Sequence, residues 1–479
     1  MTTAGKGAPP PHGLPETVED SLRDRAGAGM ATRPYLFVVL EGARPLAGGA
    51  RFSLEGVDEI HIGRGEERTA TIDGAKGARR MTLSLPSPSL SRLHALLRRA
   101  PLGWYLEDPG SRNGSYLNGQ RVERGLVGAE DILELGHAFI TLRAFDGRAD
   151  EPARDLVSSD LEREPLGFRT LLPTLAGGLS DLRRLARATV GLLFIGETGT
   201  GKEVLARAIH EQSGRPGPFI AVNCNTLTDG LAESQLFGHV KGAFSGAIAD
   251  SPGFVRAADK GTLLLDEVGD LGASAQGALL RVLQEREVVP VGRAHPTPID
   301  VRFLATSPRA LDVGVGRDRF RSDLFGRLSG FVYPMTPLRE RREDIGLLIA
   351  ALLSKAGVVE GDGPRIAPDL GLGLLRHSWP LNVRELQQLL TRTWLFAQEG
   401  LMSGDPRFVS LTDANAPASA APPARALSTE DQELQQRLVG ALTAARGNVT
   451  EAARALGTGR VQLHRVMKRL GLDAERFRQ

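Results

Sequence analysis

A glycine-rich segment in the middle of the chain has the residue types and spacing of a phosphate-binding loop. Residues 196–203 read GETGTGKE, follow the apolar stretch GLLFIG and precede the helical pattern EVLARAIHEQ. The glycines allow backbone N–H groups to converge on phosphate oxygens, and the following helix adds the positive end of its dipole. Lys202 would reach the β- and γ-phosphates. Such loops usually end in Ser or Thr, which binds Mg²⁺, whereas this one ends in Glu203.

A second segment, residues 262–267, reads TLLLDE and has the pattern of a buried strand that ends in two carboxylates. Asp266 would hold Mg²⁺, directly or through water, and Glu267 would orient and deprotonate an attacking water. Alone, this pattern fits equally well a strand followed by a polar helix cap. Because it lies downstream of a phosphate-binding loop in the same chain, we expect the two segments to form a site that hydrolyses a nucleotide.

The patterns around these residues indicate three folded parts. Between residues 35 and 147, short apolar runs separated by Gly, Pro, Asn and Ser clusters are typical of an all-β sandwich. Strands then alternate with helices, which favours an α/β fold, and the chain ends in an all-α helix-turn-helix. The predicted order is a disordered tail (1–34), the sandwich (35–147), a linker (148–165), the α/β region (166–412), a second linker (413–428) and the helix-turn-helix (429–479).

The composition of the 479 residues is that of an ordinary soluble protein, with 41% apolar and 24% charged residues. No run of about 18 apolar residues suggests a membrane span, and the N-terminus has no apolar core of a secretory signal. The single cysteine, Cys224, excludes an internal disulfide framework and a cysteine-based zinc cluster. These features predict a cytoplasmic protein, while the net charge of +2 says little about its partners.

The segment ESQLFGHVKGAFSGA, residues 233–247, makes the central region resemble the AAA+ domain of bacterial enhancer-binding proteins. These ATPases activate the sigma-54 form of RNA polymerase, and their insertion loop, usually GAFTGA, touches sigma-54. The resemblance implies an α/β ATPase subdomain at 166–334, a helical lid at 335–412, ATP and Mg²⁺ as ligands, and a ring, expected to be a hexamer. The implied sigma-54 contact is Gly242, Ala243, Phe244, Ser245, Gly246 and Ala247, with Phe244 exposed as an apolar contact.

The same resemblance carries over further roles residue by residue. Asn223 would switch the catalytic Glu267 by a hydrogen bond, and Arg321 and Arg327 resemble arginine fingers that reach a neighbouring subunit's γ-phosphate. A pair of surface arginines on a helix is the alternative for the last two. Thr306 resembles a first sensor and Arg384 a second. The implied ATP-binding residues are Gly196, Glu197, Thr198, Gly199, Thr200, Gly201, Lys202, Glu203, Thr306 and Arg384.

Several positions depart from that family's pattern. Gln235, Ser307 and Leu381 stand where Glu, Asn and Gly are usual. Residues 167–189, before the phosphate-binding loop, resemble the family only loosely, and this stretch normally helps to form the adenine pocket. Two other functions therefore stay open: an AAA+ remodeller with a different client, and a DNA-bound phosphopeptide adaptor or repressor whose motor has decayed.

In the sandwich, the segments IGR (62–64), SRLH (91–94) and DPGSRNGSYLNG (108–119) resemble a forkhead-associated domain, a reader of phosphothreonine. The resemblance implies that loop residues grip the phosphopeptide, namely Arg64, Ser91, Arg92 and Asn113. His94 is expected to brace the loop, and Asp108, Gly114, Asn118 and Gly119 to form turns. The expected partner is a phosphothreonine-containing protein or a Ser/Thr kinase. A degenerate sandwich that serves only for packing is the alternative.

The C-terminal pattern, with GN at 447–448, AA at 452–453 and LG at 456–457, resembles a Fis-type helix-turn-helix. Residues 441–472 contain six basic residues and one acidic residue, which favours contact with DNA phosphates. A small packing domain with a solvated basic face is the alternative. The residues expected to face enhancer DNA, bound as a dimer on paired half-sites, are Arg460, Gln462, His464, Arg465, Lys468 and Arg469. Together, the resemblances predict a sigma-54-dependent transcription activator.

Overall fold

The computed structural model describes residues 30–74, 79–100, 103–148, 154–227, 230–311, 320–359 and 363–404, with the single residues 445, 448 and 451. The chain divides into two compact units, residues 1–415 and 416–479. The second linker and the predicted DNA-contacting residues of the helix-turn-helix lie outside the described residues. Within the described part of the chain, every helix is too short or too polar to cross a membrane.

Two stacked sheets form the N-terminal part, here called the sandwich. One has seven strands in the order β13-β2-β1-β12-β11-β8-β9, and the other has six in the order β10-β7-β6-β3-β5-β4. Alternate residues such as Ile60 and Ile62 point into the core between the sheets. The strands are β1 (Met30–Glu41), β2 (Ala50–Ser53), β3 (Glu59–Arg64), β4 (Thr69–Asp73), β5 (Arg80–Leu85), β6 (Ala95–Ala100), β7 (Gly103–Glu107), β8 (Ser115–Leu117), β9 (Gln120–Val122), β10 (Arg124–Val127), β11 (Leu133–Leu135), β12 (Ala138–Arg148) and β13 (Leu156–Val157).

The edges of the sandwich differ from the predicted boundaries. The first strand begins at Met30, inside the predicted disordered tail. The predicted linker 148–165 contains β13, which pairs with β2, and a 3₁₀ turn at Ser158–Leu161. Ser158 Oγ donates to the Gly49 carbonyl at 2.8 Å. The apolar-poor composition was misleading here because an edge strand is held by main-chain hydrogen bonds, which do not depend on apolar side chains.

The central α/β subdomain is built on a parallel sheet in the order β15-β16-β19-β14-β20. Successive residues face opposite sides, so Leu264 packs in one apolar core and Leu263 and Leu265 in the other. The strands are β14 (Leu192–Ile195), β15 (Phe219–Asn223), β16 (Thr262–Asp266), β17 (Glu287–Val288), β18 (Thr297–Pro298), β19 (Arg302–Ser307) and β20 (Phe331–Pro334). The helices are α1 (Pro173–Ala186), α2 (Lys202–Ser213), α3 (Ala232–Phe237), α4 (Gly253–Ala257), α5 (Ala273–Glu285) and α6 (Ser322–Leu328).

The described part of the lid is helical and follows β20. It consists of short 3₁₀ turns at Leu338–Glu340 and Arg342–Asp344, then α7 (Ile345–Lys355), α8 (Pro368–Arg376) and α9 (Asn382–Leu395). A short parallel pair, β21 (Arg365–Ile366) and β22 (Leu401–Met402), joins its ends. The combination of a β sandwich with an α/β domain and a helical lid confirms the predicted fold class for the described part of the chain.

Candidate functional site

The phosphate loop, residues 196–203, lies between the carboxyl end of β14 and the start of α2. Gly199 and Gly201 have φ values of 79° and 101°, which a side chain would strain. Lys202 is buried, and its Nζ donates to the carbonyls of Gly196 at 2.7 Å and Glu197 at 3.1 Å. Burial lowers the pKa of Lys202, while the nearby carboxylates of the site act in the opposite direction. The loop therefore places backbone groups around the Lys202 cation, and this arrangement suits the binding of a phosphate chain.

The predicted catalytic carboxylates lie beside this loop at the same edge of the sheet. In a parallel sheet the carboxyl ends of the strands meet at one edge, where ligands commonly bind. Asp266 ends β16, and the hydroxyl of the fully buried Thr306, on β19, donates to its Oδ1. The same hydroxyl accepts from the backbone N–H of Glu267 at 3.0 Å. Thr306 therefore fixes both acidic residues, which the sequence did not reveal.

Glu267 has an unusual backbone conformation for a non-glycine residue. Its φ and ψ of 56° and 50° lie in the left-handed region, at a cost of about 1–3 kcal/mol. Because β16 ends at Asp266 and Glu267 is left-handed, the side-chain alternation of the strand does not extend to Glu267. Strain of this kind is concentrated at functional sites.

Asn223 lies next to Asp266, because β15 pairs with β16 in the register Asn223↔Asp266. Its side-chain oxygen accepts from the Asn225 backbone N–H at 2.9 Å and caps a short 3₁₀ turn. A hydrogen bond from Asn223 to Glu267 would therefore use the amide NH₂ as donor. Burial raises the pKa of the neighbouring Cys224 thiol to about 12. The negative charges of Asp266 and of two other nearby carboxylates act in the same direction.

The lid is clamped onto the phosphate loop by residues that the sequence analysis did not single out. Arg339 forms two hydrogen bonds to the Glu197 carboxylate, at 2.7 and 2.8 Å. These bonds lower the pKa of Glu197 and keep it ionised. Arg341 donates to the Thr200 carbonyl at 3.0 Å. Both arginines lie in the LRER segment at the start of the lid, but nothing in the sequence indicated their partners.

Asn382 closes the clamp from the first residue of α9. It is fully buried, and its amide donates to Glu197 Oε2 and to the Thr198 carbonyl, each at 3.1 Å. Its oxygen accepts from the Leu338 backbone N–H at 2.8 Å. Asn382 thus joins the phosphate loop to the start of the lid and to α9. Arg384, two residues on, has its Cβ close to Gly199, and its charge contributes to the lowered pKa of Lys202.

The predicted arginine fingers occupy α6 and its cap. Arg321 precedes the first residue of the helix and pairs with Asp323 at 2.7 Å, while Arg327 lies in the last turn. Both side chains are exposed. The structure therefore places both arginines on the surface of the subdomain.

The insertion loop, residues 242–247, is a compact turn closed by a hydrogen bond from Gly242 N to Ala247 O at 2.8 Å. Phe244 is half-buried, because its ring packs edge-on against His239 with centroids 5.0 Å apart. The expectation that Phe244 is exposed is therefore wrong for this conformation. The exposed apolar side chain is that of Ile248, one residue beyond the loop, at 83%.

A neighbouring hairpin supports the insertion loop. Val291, between β17 and β18, accepts from the Val240 backbone N–H at 3.1 Å. A Cβ atom at Gly292 would lie 2.8 Å from that of Ala243. The sequence did not predict this hairpin, because its short strands give no clear periodicity.

The predicted phosphopeptide residues meet at one edge of the sandwich. Arg64 ends β3 with an exposed side chain, and its backbone N–H donates to the Ser91 carbonyl at 2.9 Å. Ser91 Oγ accepts from the Arg112 N–H at 3.1 Å, which leaves its own O–H available as a donor. The Asn113 amide donates to the Ser89 carbonyl at 2.7 Å. The loops that the structure ties together in this way carry Arg64, Ser91, Arg92 and Asn113.

His94 and Asp108 hold these loops from inside. The fully buried His94 accepts from Ser91 N at Nδ1, 3.2 Å, so its Nε2 carries the hydrogen and donates to Gly114 O, 3.1 Å. Asp108 accepts from the Ser111 N–H and hydroxyl and from the Ser115 hydroxyl. Burial raises the pKa of Asp108, but these bonds outweigh burial and leave the pKa below its usual value.

Four family models match the chain. They are the Sigma-54 interaction domain (173–333), the AAA+ ATPase lid domain (339–410), the FHA domain (60–136) and the Bacterial regulatory protein, Fis family (435–470). Together with the phosphate loop and the parallel sheet, they define the centre of the chain as an AAA+ ATPase domain.

The chain resembles several bacterial regulators. It is 44% identical to the response regulator FleR of Pseudomonas aeruginosa over 57% of this chain and 59% of FleR. It is 39% identical to the Nif-specific regulatory protein of Azotobacter vinelandii over 65% of this chain and 61% of that protein. The chain thus spans about three fifths of the length of these two relatives.

The response regulator PilR of Pseudomonas aeruginosa is 37% identical over 66% of this chain and 73% of its own length. A crystal structure of NtrX from Brucella abortus in complex with ATP matches at 30% identity, with a TM-score of 0.45, over 66% of this chain and 71% of that chain. The sequence similarity and the family models place the chain in the family of sigma-54-dependent transcriptional regulators.

Proposed function

We propose that this protein is a transcription activator that hydrolyses ATP in an oligomeric ring, expected to be a hexamer, and remodels sigma-54 RNA polymerase into the open complex. The observation that carries the proposal is that one α/β subdomain holds the phosphate loop, the Asp266–Glu267 pair fixed by Thr306, and the insertion loop. The insertion loop, with Ile248 beside it, would contact sigma-54. The family match to a Sigma-54 interaction domain supports this assignment.

The residues of the site suit hydrolysis of ATP by water. The N–H groups of the phosphate loop and Lys202 would hold the phosphates, and Glu267 would take the proton of the attacking water. Asp266 would hold Mg²⁺ beside the substrate phosphates, directly or through water, and the ion would offset phosphate charge there. Arg384 from the lid would add positive charge, and Asn223 would hold Glu267 away from water in one nucleotide state. Arg321 and Arg327 of one subunit would serve the site of the next.

The sandwich would receive the regulatory signal, and the Fis-type segment would select the DNA site. At the edge of the sandwich, Arg64, Arg92 and the Ser91 hydroxyl would bind the phosphate of a phosphothreonine, and Asn113 the peptide backbone. The partner is then a phosphothreonine-containing protein or a Ser/Thr kinase. The Fis-type segment would bind enhancer DNA as a dimer. Its proposed contacts are Arg460, Gln462, His464, Arg465, Lys468 and Arg469, all outside the described residues.

The decisive test of the activator function is open-complex formation in vitro by the full chain. The assay would use sigma-54 RNA polymerase, a sigma-54 promoter and ATP, with phosphate release measured in the same samples. ATP-dependent opening supports the proposal. Hydrolysis without opening would indicate a remodeller with another client, for which Ser245 in the insertion loop is a candidate cause. Absence of hydrolysis by folded protein would favour the adaptor with a decayed motor.

Replacing Arg64 tests the phosphopeptide assignment. Arg64→Ala is expected to weaken binding of a phosphothreonine peptide library about 10- to 100-fold, since a hydrogen bond to a charged group contributes about 1.5–3 kcal/mol. Fluorescence anisotropy would measure the affinity. Arg99→Ala is the matched control, because Arg99 is exposed near the opposite end of β6 from Ser91. Equal affinity of the Arg64→Ala and Arg99→Ala variants would refute the role of Arg64.

Replacing Asn382 tests the clamp between lid and phosphate loop. Asn382→Ala removes the buried amide bonds to Glu197 and Thr198, so we expect the KM for ATP to rise about tenfold, roughly 1.4 kcal/mol. Steady-state kinetics would separate KM from kcat. Asn382→Gly is the control, because φ at this position is 53° and glycine relieves the backbone strain without restoring the amide. A KM unchanged in both variants would show that the clamp does not hold the nucleotide site.

A further inference from the structure

The sandwich and the lid share one hydrophobic core. Its members from β1, from β12 and from just before β11 are buried in the same cluster as lid residues. The sandwich contributes Tyr35, Phe37, Val39, Leu40, Ile132 and Phe139; the lid contributes Leu338, Ile345, Leu348, Ile349, Leu370, Leu374 and Leu375, among others. These sandwich side chains lie on the face of the seven-stranded sheet that points away from the core between the two sheets. The sandwich therefore has two packed faces, and the lid covers the second.

The sandwich approaches two of the lid helices so closely that only glycine fits at the points of contact. A Cβ atom at Gly346, in α7, would collide with the Val39 carbonyl of β1. A Cβ atom at Gly371, in α8, would collide with the ring of Phe139. The main chains are also bonded, because Ile366 N of β21 donates to the Gly42 carbonyl at 2.6 Å. Such contacts are typical of the interior of one folded body.

Two arginine side chains also form hydrogen bonds across the interface between the sandwich and the lid. Arg143 of β12 donates to the buried carboxylate of Glu343 at 2.7 Å. Arg376, at the end of α8, donates to the Asn118 carbonyl at 2.7 Å. Because a buried carboxylate without a partner is costly, Arg143 stabilises the lid by pairing with Glu343.

The interface continues directly into the nucleotide site. Arg342–Asp344 follows Arg341, whose guanidinium holds the Thr200 carbonyl of the phosphate loop. The fully buried Asp344 accepts from the Thr170 hydroxyl at 2.8 Å and from Leu171 N at 2.7 Å. Burial raises the pKa of Asp344 to about 6, although Arg341 and these two hydrogen bonds act in the opposite direction.

The sandwich also forms a hydrogen bond to Leu171, the residue whose N–H donates to Asp344. Arg51 of β2 is buried and donates to the Leu171 carbonyl at 2.7 Å. Leu171 therefore lies between a sandwich arginine and a lid aspartate. Leu171 thus links the sandwich to the lid through two short hydrogen bonds.

The phosphopeptide edge is also connected to the lid. Asn113 and Gly114 lead directly into β8, and the turn after β8 is Asn118–Gly119. The Asn118 carbonyl accepts from Arg376, and a Cβ at Gly119 would lie 2.7 Å from Leu372 of α8. Only one short strand therefore separates the proposed peptide contact from the lid.

We propose that the sandwich and the lid move as one body, so that a phosphopeptide bound at the sandwich acts on the phosphate loop through the lid segment 338–344. This inference rests on the proposed phosphopeptide function for its input, but the mechanical link stands on the interface alone. In this state the sandwich is packed against the lid, and the lid places Arg339, Arg341 and Asn382 against the phosphate loop.

Gly346→Ala in the full chain is the primary test, because the added methyl is a wedge between α7 and β1. Alanine favours a helix over glycine, so without the interface this change should be neutral or protective. Hydrogen–deuterium exchange should show β1 and residues 338–344 exchanging together, about tenfold faster or more. Gly177→Ala in α1 is the matched control, since its Cβ would meet open space. Faster exchange confined to α7 would overturn the proposal.

A second variant covers the case in which Gly346→Ala does not fold. Arg376 is exposed, so Arg376→Ala should leave the fold intact while removing the bond to the Asn118 carbonyl. With a phosphothreonine peptide library as probe and the unphosphorylated library as control, we expect a shift of at least about twofold in the KM for ATP of the natural chain. In Arg376→Ala the shift should be lost while peptide affinity stays the same.

The outcomes distinguish the coupling between the sandwich and the lid from the binding of a phosphopeptide. A library that fails to bind the natural chain would refute the phosphopeptide function, and the exchange experiment would still decide whether sandwich and lid are one body. Peptide binding without any shift in KM, or a full shift retained in Arg376→Ala, would refute the link and leave phosphopeptide binding in place.

Discussion

Glu267→Gln is expected to bind ATP and to hydrolyse it about 10²- to 10⁴-fold more slowly than the natural chain, which is the usual contribution of a positioned general base. Glutamine keeps the size of the side chain but cannot accept a proton from water. The backbone N–H of residue 267 would still bond to the Thr306 hydroxyl, because that contact does not involve the substituted group. The site should therefore keep its shape and its affinity while it loses turnover.

Phosphate release and binding of a fluorescent ATP analogue would be measured on the same preparations. Glu211→Gln, an exposed change in the last turn of α2, is the matched control for loss of one carboxylate elsewhere on the subdomain. In the open-complex assay, Glu267→Gln should fail to open the promoter. Turnover equal to that of Glu211→Gln would show that another group activates the water.

The second large effect is expected on removing the sandwich. A fragment of residues 165–412 would expose the lid side chains that now face Tyr35, Phe37 and Phe139. Each large apolar side chain returned to water forfeits about 1.5–3 kcal/mol, and whole domains are stable by only about 5–15 kcal/mol. We therefore expect the fragment to melt at least about 10 °C lower, to bind a hydrophobic dye and to hydrolyse ATP poorly.

A fragment of residues 30–412 is the control, because it retains the sandwich and lacks the same C-terminal part. Thermal melting followed by dye fluorescence and by tryptophan emission would compare the two, since Trp379 is fully buried in the shared core. If the shorter fragment melts at the same temperature as the longer one and binds no dye, the lid does not depend on the sandwich. Activity measurements on an isolated motor would be interpretable only in that case.

Local patterns determined the chemistry of this protein. A strand, a glycine loop and a helix N-terminus are contiguous in the chain, so GETGTGKE predicted the strand–loop–helix arrangement that the structure shows. The apolar run before Asp266 predicted a buried strand ending in carboxylates for the same reason. Short apolar runs separated by Gly, Pro, Asn and Ser clusters predicted the sandwich, because strands and the turns between them are each encoded by a few neighbouring residues. These features depend on neighbours a few residues apart.

Only the tertiary structure decided which distant residues act together. Glu197 and Arg339 are far apart in the chain, and no spacing rule connects a glycine loop with the arginine that holds it. Phe244 was expected to be exposed, but His239 covers it because the loop folds back on its own base. The predicted linker gained a strand because the free edge of β2 offered main-chain partners.

The shared core is the clearest case of a feature that sequence patterns could not reveal. The pattern of β1 shows an almost continuous apolar run, YLFVVL, which predicts a strand buried on both faces but not what covers the second face. The largely apolar sequence of α7 and the apolar side of α8 likewise favour burial but do not indicate which surface covers them. Hydrophobic attraction is not directional, so composition and period fix how much surface must be buried. Which surfaces meet is decided by shape, here by Gly346 and Gly371, whose missing side chains let two lid helices rest on the sandwich.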